Sequence, residues 1–133
     1  SPDIADRGRR TALMYAAAAG RADIVSLLVE HGASLDAQDS RGFTALHEAA
    51  AADLDEVAEI LLTGGADPDV ADRNGATPLM RAAATRGGRV VPLLLRAGAD
   101  PSTQDYTGRT ALDWARDRGN RRAERALSAR TGG

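Results

Sequence analysis

The chain has 133 residues, a formal net charge of −2 and a pI of about 5.6, which suits one domain and does not point to a polyanion partner. Cysteine is absent, which excludes disulfides, thiolate nucleophiles and cysteine metal ligands, and leaves the compartment unconstrained. Hydrophobic residues make up 43% of the chain but aromatic residues only 3%, so Ala and Leu must form the core, which favours thin, closely stacked helices.

Read in order, Ser1-Pro2-Asp3-Ile4-Ala5-Asp6 is nearly a copy of Asp67-Pro68-Asp69-Val70-Ala71-Asp72, 66 positions later. The start is therefore expected to be the remnant hairpin (1–5) of a preceding repeat, and the chain a fragment of a longer array. From there a period of 33 residues runs through the sequence, set by Thr11, Thr44, Thr77 and Thr110. Asp6, Asp39, Asp72 and Asp105 keep the same step, as do Gly42, Gly75 and Gly108, and the pairs Gly32-Ala33, Gly65-Ala66 and Gly98-Ala99.

Repeat one covers 6–38. Arg9 stands where later copies have glycine, Thr11 is placed to cap a helix, and Gly20 to end it. Ile24, Val25, Leu27 and Leu28 give the second helix its apolar stripe. Repeat two covers 39–71. Asp53 replaces the turn glycine at a small expected cost. Asp55, Glu56 and Glu59 make an acidic helix start, which suits the helix dipole better than it suits a metal. Repeat three covers 72–104, with Pro78 at a first helical position. Pro92 predicts a late start for the second helix, near Val90 or Val91, since an interior proline costs roughly 3 kcal/mol or more. Repeat four covers 105–130, and its last helix turns polar with Arg121, Arg122, Glu124 and Arg125, as an end cap should. Residues 131–133 are expected to be a frayed tail.

The pattern D-x-x-G-x-T-x-L-x-x-A-A … V-x-x-L-L-x-x-G-A, in four in-phase copies, resembles the ankyrin repeat over nearly the whole chain. The resemblance implies an all-α solenoid of stacked ankyrin repeats, each a β-hairpin or turn followed by an antiparallel helix pair. It also implies a non-enzymatic protein–protein interaction module. In that family, partners meet the hairpin tips and the concave face of the first helices. Carried onto this chain, the expected partner-binding residues are Arg10, Arg41, Phe43, Arg73, Asn74, Tyr106 and Arg109, with Phe43 and Tyr106 as aromatic anchors on tips. Ala18, Ala19, Ala51 and Ala52 leave the groove floor bland in two repeats. A partner with an acidic surface fits the row of arginines, and a monomer is expected. The second reading is a regulatory or inhibitory segment controlling a fused or co-expressed catalytic domain.

Catalytic chemistry finds no foothold in the sequence. His31 and His47 are the only histidines, and neither has a second metal ligand at suitable spacing. No P-loop, nucleophile elbow or dinucleotide fingerprint occurs, so neither catalytic residues nor a cofactor is assigned. Nucleic acid is disfavoured because the arginines of 116–130 are interleaved with Asp117 and Glu124 in a net-acidic chain. No apolar run reaches membrane-spanning length and no signal peptide opens the chain, so the cytoplasm is the expected location, with periplasm or secretion open. All the basic residues are Arg, and with abundant Ala, Gly and Asp they suggest a GC-rich bacterial genome.

Overall fold

Each of the four threonines starts a helix. The hydroxyl oxygens of Thr11, Thr44, Thr77 and Thr110 accept from the backbone N–H groups of Met14, His47, Met80 and Asp113, which would otherwise lack partners in the first turn. At Thr44 and Thr110 the bond is reciprocated, since His47 Nδ1 and Asp113 Oδ2 accept from the threonine N–H. The computed structural model describes residues 3–131. Its helices are α1 (Ala12–Ala18), α2 (Ala22–Glu30), α3 (Ala45–Ala51), α4 (Asp55–Thr63), α5 (Pro78–Ala83), α6 (Val90–Arg96), α7 (Ala111–Arg118) and α8 (Arg121–Thr131). Ser1 and Pro2 of the expected remnant hairpin, and Gly132 and Gly133 of the expected tail, lie outside the described residues. Thr131 closes α8.

Within a repeat, a left-handed residue turns the chain from first helix to second. Gly20 (φ 72°), Asp53 (φ 58°) and Gly119 (φ 66°) do so at the same phase. Repeat three makes the turn two residues later, at Gly88 (φ 62°). Accordingly α6 begins at Val90, and Pro92 falls in its first turn, where no N–H is needed.

The first helices α1, α3, α5 and α7 stand side by side in one layer, and α2, α4, α6 and α8 in a second. Leu13, Leu46 and Leu79 from the first layer, with Val25, Leu61, Leu94 and Leu127 from the second, are at most 1% exposed and form one continuous core. Burying each such side chain contributes about 1.5–3 kcal/mol. Ala17, Ala50 and Ala83 are wholly buried between neighbouring first helices and let them approach closely. The connecting loops are stitched as well: Asp3, Asp36 and Asp69 Oδ1 accept from the N–H groups of Ser34, Asp67 and Asp100 at 2.7–2.9 Å, each 31 residues on. No strand is assigned among the described residues; the hairpins are turns, with a single isolated bridge between Ala5 and Thr11. No described helix is long and apolar enough to cross a membrane.

Candidate functional site: hairpin tips and the concave face

The tips are built by the repeating aspartates. One oxygen of Asp6, Asp39, Asp72 and Asp105 accepts two backbone N–H groups of its own turn at 2.8–3.0 Å: Gly8 and Arg10, Arg41 and Phe43, Asn74 and Ala76, Thr107 and Arg109. A left-handed residue completes each turn, namely Arg9, Gly42, Gly75 and Gly108. Neighbouring tips are then tied backbone to backbone. Ser40 N–H donates to Gly8 O (2.8 Å), Arg73 N–H to Arg41 O (3.0 Å) and Tyr106 N–H to Asn74 O (3.1 Å). Gly75 also makes room: a Cβ there would come within 2.6 Å of the Tyr106 ring.

The second oxygen of these aspartates faces the first helices. Tyr15 O–H donates to Asp6, Arg81 reaches Asp72 at 2.7 and 3.1 Å, and Trp114 Nε1–H reaches Asp105 at 3.0 Å. At Asp39 the equivalent helix residue is Glu48, and two arginines lie between the carboxylates. Arg10 pairs with Asp39 (2.8 Å) and Glu48 (3.4 Å), and Arg41 with Asp39 (2.8 Å) and Glu48 (2.6 Å). Burial alone would raise the Asp39 and Asp105 carboxyls. At Asp39 the Arg41 guanidinium and the Phe43 N–H outweigh it and hold the pKa down. At Asp105 the bonds from Thr107, the Arg109 N–H and Trp114 bring it to about 2.

A row of stacked cations and rings crosses the face. Arg10 lies over Tyr15 (4.7 Å), Arg41 over Phe43 (4.1 Å), and Arg81 sits 5.0 Å from Phe43 and 5.1 Å from Trp114. With the ion pairs at Asp39, this links side chains of all four repeats.

The residues singled out in the sequence fall into two groups. Arg73, Asn74 and Tyr106 stand exposed on the third and fourth tips, Tyr106 at 76%. Arg10, Arg41 and Arg109 are engaged within the chain: Arg10 and Arg41 as above, and Arg109 with Asp117 and the Asp113 carbonyl. Phe43 does not offer a free ring at a tip. Its N–H is held by Asp39, and its half-buried ring rests on His47 (centroids 5.1 Å apart) and against two guanidiniums. His47 is fully buried, with Nε2–H donating to Ala76 O (2.9 Å) across to the next repeat, and burial lowers its pKa. His31 is exposed, its Nδ1 2.8 Å from Leu27 O at the end of α2.

Sequence reading passed over Tyr15, Glu48, Arg81 and Trp114, which line the concave face at one phase. A signal was present: four residues after each threonine, just before an Ala found in every repeat, the residue changes from Tyr to Glu to Arg to Trp.

A family model described as ankyrin repeats (3 copies) matches residues 1–72 and, a second time, residues 55–130. No curated protein matches the chain. The model's two matches together span the same tips, threonine caps and helix pairs described above, and the chain belongs to the ankyrin repeat family.

Proposed function

We propose that the chain binds a partner protein through the tips of its third and fourth hairpins and the adjoining concave face. Ankyrin repeats are generally protein–protein interaction modules and typically non-catalytic. The observation that carries the finer reading is Tyr106, a large ring 76% exposed on a tip whose backbone is tied to its neighbour. A rigid aromatic on a fixed backbone loses little entropy on binding, and aromatic and Arg side chains dominate many interfaces. Arg73 and Asn74 flank it as polar contacts. In this reading Arg10, Arg41, Phe43 and Arg109 shape and stiffen the surface, and they meet the partner along their exposed edges.

Affinity capture from source cells, with wild type and an Arg73→Glu, Tyr106→Ala variant as baits, tests the proposal. Both side chains are exposed, so the variant keeps its core. The specific partners of the wild type are expected to be lost by the variant, and equal recovery by both baits overturns the proposal.

A further inference from the structure

We infer that the concave groove between repeats two and four seats an extended acidic segment of the partner, with an apolar side chain on its alanine lining and carboxylates on Arg86 and Arg118. This rests on the protein-binding reading and adds the chemistry of what is bound. The groove contains an open cavity of about 410 Å³. Ala51, Ala52 and Ala84 line it with methyl groups, and Trp114 lines it as well. That apolar lining suits an aliphatic side chain, which would cover the methyls and part of the indole. Trp114 is already fixed by its bond to Asp105 and by Arg81 stacked against it, so little ordering is left for the ligand to induce.

Charge selects the ligand further. Of the ionic groups around the cavity, Arg81 is committed to Asp72, and Asp53 to Arg89, whose N–H and Nε approach it at 2.8 and 3.4 Å. Arg86 and Arg118 are exposed and form no ion pair among the described residues. Residue 86 lies outside the left-handed turn, because repeat three turns at Gly88, whereas Gly20, Asp53 and Gly119 hold that backbone at the phase of residue 86. The wider field agrees. Residues 1–66 carry 11 acidic side chains against 5 arginines, whereas 67–133 carry 8 against 12, so a carboxylate is drawn toward the half that holds both guanidiniums. Each guanidinium can grip a carboxylate with two parallel N–H bonds. A run of nucleic-acid bases fits less well, because the half-buried Phe43 ring is already stacked on by Arg41 and Arg81 and, among the described residues, no second ring stacks on Trp114.

Trp114 is the only tryptophan, so the indole emission comes from a side chain that lines this groove. The probes are short end-blocked peptides with a central Leu flanked by Glu and Asp, the same peptide with Lys flanks, and a single-stranded oligonucleotide. The acidic peptide is expected to shift the emission saturably, and an Arg86→Glu, Arg118→Glu variant to weaken it at least about tenfold. The Lys-flanked peptide should leave the emission unmoved. An Arg86→Gln, Arg118→Gln variant with unchanged circular dichroism should weaken binding in the same direction, which separates lost contacts from lost folding. Equal titrations for wild type and both variants, an equal response to the Lys peptide or the oligonucleotide, or no response to the acidic peptide each overturn the inference. No response to the peptide, combined with partner capture still abolished by Tyr106→Ala, removes the groove and leaves the tips. Peptide binding combined with capture insensitive to Tyr106→Ala does the reverse.

Discussion

Arg9 sits at φ 64° where the other three tips have Gly42, Gly75 and Gly108. Its N–H still donates to Asp6 O at 2.9 Å, so the turn forms, but the Cβ is held in a region that costs an L-residue about 1–2 kcal/mol. Glycine there would relieve this strain while losing more freedom on folding. Arg9→Gly is therefore expected to stabilise by about 0.5–1 kcal/mol, raising Tm by about 3 °C in a thermal melt. His47 makes a second test at this scale. Its ring is buried and neutral, Nε2–H donating to Ala76 O and Nδ1 accepting from the Thr44 N–H. Burial depresses its pKa below the ordinary 6.5, against the opposing pull of the Ala76 carbonyl and Asp72. The unfolded chain thus takes up the proton first. The stability contributed by the neutral ring is complete above pH 6.5 and declines as pH falls below it, until the folded value is passed. Urea unfolding at pH 7.5 and pH 5.5 should show wild type weaker at the lower pH. His47→Met, which copies Met14 and Met80 at the same phase, should flatten that difference.

The second helices differ in how they begin. α2, α4 and α6 start without a side-chain cap, whereas α8 begins on Asn120, whose Oδ1 accepts from Ala123 N–H at 3.0 Å. The amide nitrogen of Asn120 donates to the carbonyls of Thr85 (2.7 Å) and Ala83 (3.3 Å) in the preceding repeat. One buried side chain thus caps the last helix and fastens it to α5. Asn120→Ala removes the cap and leaves buried carbonyls unpaired, so a loss of about 1–3 kcal/mol is expected in denaturant unfolding. A change within 0.5 kcal/mol would mean that packing of Leu127 alone holds α8. Asn120 also marks how far sequence reading reaches. What repeats was legible: the threonine caps, the aspartate turns, the leucine core and the delayed start of α6 at Pro92 all follow from local rules. Asn120 corresponds in phase to Arg21, Leu54 and Gly87, and nothing in that series points to a cap. The concave face was hidden for the same reason, since Arg10 finds its carboxylates 29 and 38 residues away and only the stacking of repeats brings them together. Phe43 was misplaced because its phase fixes the backbone near a tip, while the ring direction depends on His47, Arg41 and Arg81.

Across the molecule, each helix packs on its partner in the repeat and on helices of the adjacent repeats. Stability in such an array is close to a sum of repeat terms and neighbour terms, so damage should spread only as far as the interfaces it touches. The two ends differ from the middle. In repeat one, Ile24 and Leu27 are 37% and 54% exposed, whereas Val57 and Val90, at the phase of Ile24, are at most 2% exposed. In repeat four, Arg121, Arg122 and Arg125 give α8 a charged outer surface. Leu61 and Leu127 occupy the same phase and are both wholly buried, one inside the array and one at its end. Either Leu→Ala change should cost about 2–5 kcal/mol locally. Hydrogen exchange followed by mass spectrometry should separate them. Leu127→Ala is expected to speed exchange in α7 and α8 while α1 to α4 keep their wild-type protection. Leu61→Ala should speed exchange in α3 and α4 and in the neighbouring pairs on both sides, because repeats one and three each lose a wall. Uniform loss of protection in the Leu127→Ala variant would show that the four repeats open as a single unit. In that case the tips and the groove would be ordered or lost together, and no single repeat could adjust to a partner without the others.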